Sequence, residues 1–231
     1  DPGTWAALSG EHADRVVVSG GALQSPALLL RSGLADGRGG HWIGRRLMRH
    51  ANAVVAGVFR RRTNPEQTFH KQLCFTDFYE DHRATHGTAT GTIQDIYTPA
   101  ARVIAHHAPP GLRSVAGWLA EYMQNLLCVA EDEPQDGNRV HLGGTDDHGI
   151  AGVHVDHDYT PADIERRDHL VWRARRILRR AGAWTTRVHE IDSFSHGVGS
   201  VGMAASPATG AIDPEGRVWD VDNLFVVDGS S

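Results

Sequence analysis

Four apolar residues, Leu224-Phe225-Val226-Val227, run directly into Asp228-Gly229-Ser230. A short unbroken apolar run reads as a buried strand. In open α/β sheets ligands bind at the carboxyl ends of the strands. The Asp-Gly-Ser turn therefore stands where a ligand would meet the sheet. A similar unit opens the chain: Arg15-Val16-Val17-Val18-Ser19 is a second apolar, β-branched run closing in Gly20-Gly21. Ser25 and Pro26 then offer an N-cap and a first position for a helix over Ala27 to Arg31, and Gly33 is placed to end it. Two strand-and-glycine-turn units at opposite ends of the chain predict an α/β domain split by a long insertion.

The insertion has a different character. Asn52 to Phe59 and Leu126 to Ala130 read as strands, and Leu112, Val115, Leu119 and Met123 follow helical spacing. Residues 66–105 alternate too weakly to assign. Glu131 to Asn138 is an acidic loop, and Arg139–Leu142 with Ile150–Val155 form two strands around a turn. Thr160-Pro161-Ala162-Asp163 opens a long helix with a capping threonine, a proline in the first turn and an acid at the positive helix end. Gly182 ends it. The expectation is α/β for residues 1–45 and 204–231, and α+β for 46–203, with antiparallel strands and packed helices.

Composition excludes several functions. The net charge of −5 over 231 residues argues against nucleic acid. Seven arginines on the Thr160 helix (Arg166, Arg167, Arg173, Arg175, Arg176, Arg179, Arg180) have one aromatic among them, Trp172, short of the interleaving of a nucleic-acid face, and read as a solvated face. No apolar run spans a bilayer, and Asp1-Pro2-Gly3-Thr4 does not begin a secretory signal. The compartment is otherwise unreadable, with a cytoplasmic one favoured. Cys74 and Cys128 read as ordinary buried thiols.

Histidine is over-used, at 15 residues. His148, His154 and His157 lie near Asp147, Asp156 and Asp158, but they lack a recognised ligand spacing, so no metal is expected. His196 stands apart. It precedes Gly197-Val198-Gly199-Ser200, small residues that leave room for a substrate against the ring. Imidazole is the side chain best suited to proton transfer near neutrality. No GxSxG elbow, Walker loop or complete GxGxxG occurs.

Three segments together resemble one family, the glucose–methanol–choline flavin oxidoreductases. Gly21-Ala22-Leu23-Gln24-Ser25-Pro26-Ala27-Leu28-Leu29-Leu30-Arg31-Ser32-Gly33-Leu34 resembles its second signature motif, with Ala35 where glycine is usual. Ile43-Gly44-Arg45-Arg46-Leu47-Met48-Arg49-His50 resembles the following segment, with Arg49 in place of aspartate. His196 through Ser230 resembles the closing segment, with Gly202 where many members carry arginine.

The resemblance implies an FAD-dependent enzyme that oxidises an alcohol or sugar hydroxyl. Residues 1–45 and 204–231 would belong to a doubly wound FAD-binding domain whose amino-terminal dinucleotide unit lies outside these residues, and 46–203 to the substrate domain. His196 would be the acid/base. Ser19, Gly20 and Gly21 would lie near FAD, and Asp228 and Gly229 would approach its ribityl and pyrophosphate part, Asp228 accepting from a hydroxyl. A second catalytic residue would follow Ser231. Substrate walls would come from residues 66–130. The electron acceptor (oxygen, a quinone or a haem protein) is not readable. A hydroxynitrile lyase on the same scaffold and a non-catalytic truncated paralogue are the alternatives.

Overall fold

The computed structural model describes residues 13–63, 65–66, 71–191 and 196–231. Asp1-Pro2-Gly3-Thr4 and Ser195 lie outside them. The elements in chain order are β1 (Val16–Val18), α1 (Gly21–Arg31), β2 (Ala51–Val58), β3 (Cys74–Phe75), α2 (Arg83–His86), β4 (Gly91–Ile96), α3 (Ala101–His107) and α4 (Arg113–Leu119). They continue with β5 (Met123–Ala130), β6 (Arg139–Thr145), β7 (Ala151–Asp156), α5 (Pro161–Arg180), β8 (Thr185–Glu190) and β9 (Leu224–Val226). The chain is of mixed α/β type and divides into two compact units. The described residues of the first are 13–49, 133–158 and 196–231; those of the second are 50–63, 65–66, 71–132 and 159–191. This cut differs from the one drawn on sequence, because 46–49, 133–158 and 196–203 pack with the two chain ends.

In the first unit β1 and β9 pair in parallel, Val16 to Leu224 and Val18 to Val226. Val18 and Val226 bury one side of this pair against Leu29, Val201 and Ile212. The strands were expected to be buried throughout, but Val16 is 43% exposed, Val17 59% and Val227 54%. With two strands among the described residues, only one face of the sheet is covered. The hairpin β6–β7 lies beside α1, where the Arg31 guanidinium donates to the Ala151 carbonyl at 2.6 Å.

Helix α1 starts five residues before Pro26, which reads as its first residue. Pro26 sits inside it, and Ser25 is not the N-cap. A proline there has no N–H for the carbonyl four residues back, that of Ala22. The buried Ser200 hydroxyl supplies the missing donor at 2.6 Å. A tertiary hydrogen bond thus lets the helix run through a residue that would normally begin it.

The second unit is an antiparallel five-stranded sheet, β3-β4-β5-β2-β8, with α5 across one face. Alternation along β2 turns Ala51, Ala53, Val55 and Gly57 toward the helix, where they meet Leu170, Ala174 and Leu178. A Cβ on Gly57 would stand 3.0 Å from Leu178, so glycine permits the close approach. The capping box at Thr160 and Asp163 is formed. At the other end Gly182 (φ 105) and Ala183 donate to the carbonyls of Arg179 and Leu178, a Schellman motif.

One arginine departs from the solvated face. Arg166 is fully buried beside buried Asp163, which accepts from its guanidinium. It also donates to Thr88 Oγ1 at 2.8 Å and the Glu131 carbonyl at 3.2 Å. Cys128 is buried as expected, and burial pushes its thiol up to about 12. Cys74 is exposed, contrary to expectation, because β3 is the outer strand of its sheet.

Candidate active site

The carboxyl ends of β1 and β9 bring together residues from three distant parts of the first unit. Val227 N–H donates to the Val18 carbonyl at 3.0 Å and Ser19 Oγ to the Val227 carbonyl at 3.2 Å. The Gly20-Gly21 turn follows β1 and leads into α1. The Asp228-Gly229 turn follows β9 alongside it.

Asp228 is the centre of this edge. Its Oδ2 accepts from Gly21 N–H at 2.8 Å and from the Ser25 hydroxyl at 2.5 Å, and its Oδ1 accepts from Ser230 N–H at 2.7 Å. Ser25 Oγ in turn accepts from Gly20 N–H at 2.9 Å. Burial alone would raise the Asp228 carboxyl. The bonds from Ser230, Ser25 and Gly21 outweigh it and hold the group below the usual carboxylate range. The carboxylate also faces the positive end of α1.

The His196 turn is fastened to the same edge. Gly199 N–H donates to the Gly229 carbonyl at 3.1 Å and Val201 N–H to that of Ser230 at 2.5 Å. The segment 43–50 closes the other side: Gly44 N–H donates to the Ser200 carbonyl at 2.6 Å, and Met48 and Val198 exchange both backbone bonds at 2.9 Å. His196 is itself exposed and has φ 56. A side chain in the left-handed region costs about 1 kcal/mol or more, and such residues cluster at functional sites. The candidates Ser19, Gly20, Gly21, His196, Asp228 and Gly229 thus belong to one assembly of backbone turns. Sequence reasoning missed Ser25 and Ser200, the hydroxyls that join these turns. The signal for Ser200 was Pro26, which withholds a donor inside a helix.

An FAD would have to fit this edge. A Cβ added to Gly21 meets nothing within 4 Å, so the turn is open to a flat group. A phosphate is a poorer match, because the Asp228 carboxylate already takes up the first-turn amide of α1 and would repel a second anion. The residues fit the uncharged, hydrogen-bonding part of such a cofactor.

Among the described residues no group of three histidine, cysteine, aspartate or glutamate side chains could hold a metal ion. His154 Nε2 is engaged by the Gly143 carbonyl at 3.0 Å, and Asp156 pairs with Arg139 and His141. No described helix is long and apolar enough to cross a membrane.

The second unit holds a separate cavity of about 860 Å³ on the sheet face opposite α5, roofed by Val103 and Ile104 of α3 and Ala116 of α4. Residues 96–125 supply most of its wall, but Val54, Ala56, Arg187 and His189 also contribute. β2 and β8 reach this wall because sheet pairing brings β2 beside β5 and β8 beside β2.

Two parallel strands ending in glycine turns in one unit, and an antiparallel five-stranded sheet in the other, place the chain in the class of two-part mixed α/β folds. The chain belongs to the GMC oxidoreductase family, whose models match residues 9–52 and 134–231. It is 32% identical over 226 residues to paromamine 6'-oxidase of Streptomyces fradiae, covering 92% of this chain and 40% of that protein. It is 30% identical over 245 residues to 2-methyl-1,2-propanediol dehydrogenase of Mycolicibacterium austroafricanum, covering 95% and 44%. The chain thus spans less than half the length of these curated relatives. The fold is similar to that of pyridoxine 4-oxidase from Mesorbium loti, with a TM-score of 0.59, 20% identity, and coverage of 94% of this chain and 46% of that one.

Proposed function

We propose that the protein is an FAD-dependent oxidoreductase that converts the CH–OH group of a small alcohol or sugar to a carbonyl, with His196 as the acid/base. The observation that carries this reading is the stitching of the His196 turn, through Gly199 and Val201, onto the strand end that bears Asp228 and Gly229. Family membership and two relatives named for oxidising paromamine and dehydrogenating a propanediol support it.

FAD, when bound, supplies a two-electron acceptor for the hydride leaving the carbinol carbon. This chain's residues do the rest. The exposed His196 imidazole takes the hydroxyl proton as the C–O bond becomes a carbonyl, so one alcohol yields one carbonyl, one proton and one hydride. Ser19, Gly20, Gly21 and Gly229 present backbone without bulk toward the cofactor. Asp228 holds the two turns in position through Gly21, Ser25 and Ser230.

The test is a visible absorption spectrum of the protein purified from its native source, before and after a panel of alcohols is added without oxygen. A flavin band that bleaches with an alcohol is the expected result. A protein without a flavin band, or one whose band no alcohol bleaches, would overturn the proposal.

A further inference from the structure

The cavity of the second unit has a chemical character of its own. One row of side chains crosses the sheet in register: Ile96 on β4, Asn125 on β5, Ala56 on β2 and Arg187 on β8. His189 lies opposite Val54 in the adjacent row. Val54, Ile96, Val103 and Ile104 make most of the remaining wall apolar. A volume of about 860 Å³ is in the range of small-molecule sites.

The lining has four polar side chains, Tyr97, Asn125, Arg187 and His189, and two of them carry the argument about ligands. Asn125 is 4% exposed, and its Oδ1 has no hydrogen-bond partner, whereas its Nδ2 donates to Thr98 Oγ1 at 3.3 Å. A buried acceptor left without a donor is unfavourable, and a ligand O–H would satisfy it. Arg187 has no ion-pair partner among the described residues, and no carboxylate is among the cavity's described lining. Its guanidinium is the permanent charge on this wall, and its fork geometry suits a carboxylate. Two strand spacings separate Arg187 from Asn125, about 10 Å.

We propose that this cavity binds a small hydroxylated carboxylate. Arg187 holds the acid, Asn125 Oδ1 accepts from a hydroxyl, and the apolar wall covers the carbon chain between them. The assignment is of the cavity's ligand; that this ligand is also the substrate rests on the reading proposed above. An amine-bearing alcohol, cationic near neutrality, meets Arg187 as a like charge and finds no carboxylate among the described lining residues.

A four-carbon series tests the assignment: hydroxybutyrate, butanediol and aminobutanol, titrated calorimetrically into the flavin-containing protein, with bleaching recorded in parallel. Hydroxybutyrate is expected to bind most tightly. Arg187→Gln should weaken it about 10- to 100-fold and leave butanediol unchanged. Arg187→Glu should reverse the order in favour of aminobutanol, and Arg187 is exposed enough for both variants to fold. Asn125→Leu should weaken hydroxybutyrate and butanediol alike. Equal binding of hydroxybutyrate and aminobutanol, or hydroxybutyrate binding indifferent to Arg187→Gln, would overturn the proposal. Charge-selective binding without bleaching by any alcohol would keep the cavity assignment and remove the oxidoreductase reading. Bleaching without charge selectivity would do the reverse.

Discussion

The Asp228 carboxylate accepts the backbone N–H of Gly21 at 2.8 Å, across 207 residues of chain. It ties the turn after β9 to the start of α1, and its other bonds bring in Ser25 and Ser230. The two halves of the candidate cofactor edge are held in one geometry by a single charged side chain.

Asp228→Asn should lower folding stability by about 1 kcal/mol, the worth of a charged hydrogen bond discounted for partial exposure. The folded-state carboxyl lies below its ordinary value. Its contribution is therefore whole above about pH 4 and fades as pH falls through the depressed value. Urea unfolding of both proteins at pH 7 and pH 3 should show the gap narrowing in acid. A gap that widens would contradict the assignment.

Ser200→Ala should cost about 1–3 kcal/mol, because the Ala22 carbonyl loses its donor. Pro26→Ala restores a backbone N–H four residues after Ala22. In that background the same serine substitution should cost measurably less. A double-mutant cycle by chemical denaturation reads the coupling directly. Strict additivity would show that the serine does not stand in for the helix bond.

Asp163→Ala should destabilise by about 3–5 kcal/mol, since it strands the buried Arg166 guanidinium and removes the capping box of α5. Arg175→Ala, on the exposed face of the same helix, should change stability by less than about 0.5 kcal/mol. Thermal unfolding of the two variants makes the comparison. Similar losses would put Arg166 back among the solvated arginines.

His196→Asn keeps a residue that tolerates positive φ while removing the imidazole. Flavin reduction by alcohol should slow about 10²–10⁴-fold, with flavin content and unfolding midpoint unchanged. Stopped-flow bleaching without oxygen measures the first quantity and absorbance the second. Wild-type reduction rates would take His196 out of the chemistry.

Much of the local structure was legible. The capping box at Thr160, the helix stop at Gly182 and the β6–β7 hairpin follow from residue types at fixed spacing, because caps and tight turns are made by neighbours. The start of α1 was misread for the same reason. Pro26 reads locally as a first-turn residue, and only a hydroxyl 174 positions later cancels its missing donor. Arg166 was placed in solvent because an arginine's surroundings are not written in its own helix. Its partners Thr88 and Glu131 come from other segments.

The sequence by itself determined many of the elements outside residues 66–105, which family the motifs resemble and which residues could carry chemistry, since these depend on periodicity, capping and short-range pattern. The tertiary structure alone decided that Ser25, Ser200 and Gly21 converge on Asp228 and the His196 turn, and that Arg187 and Asn125 share one row across a sheet. Those relations are set by strand pairing and packing between segments up to 207 residues apart, distances over which residue type carries no positional information.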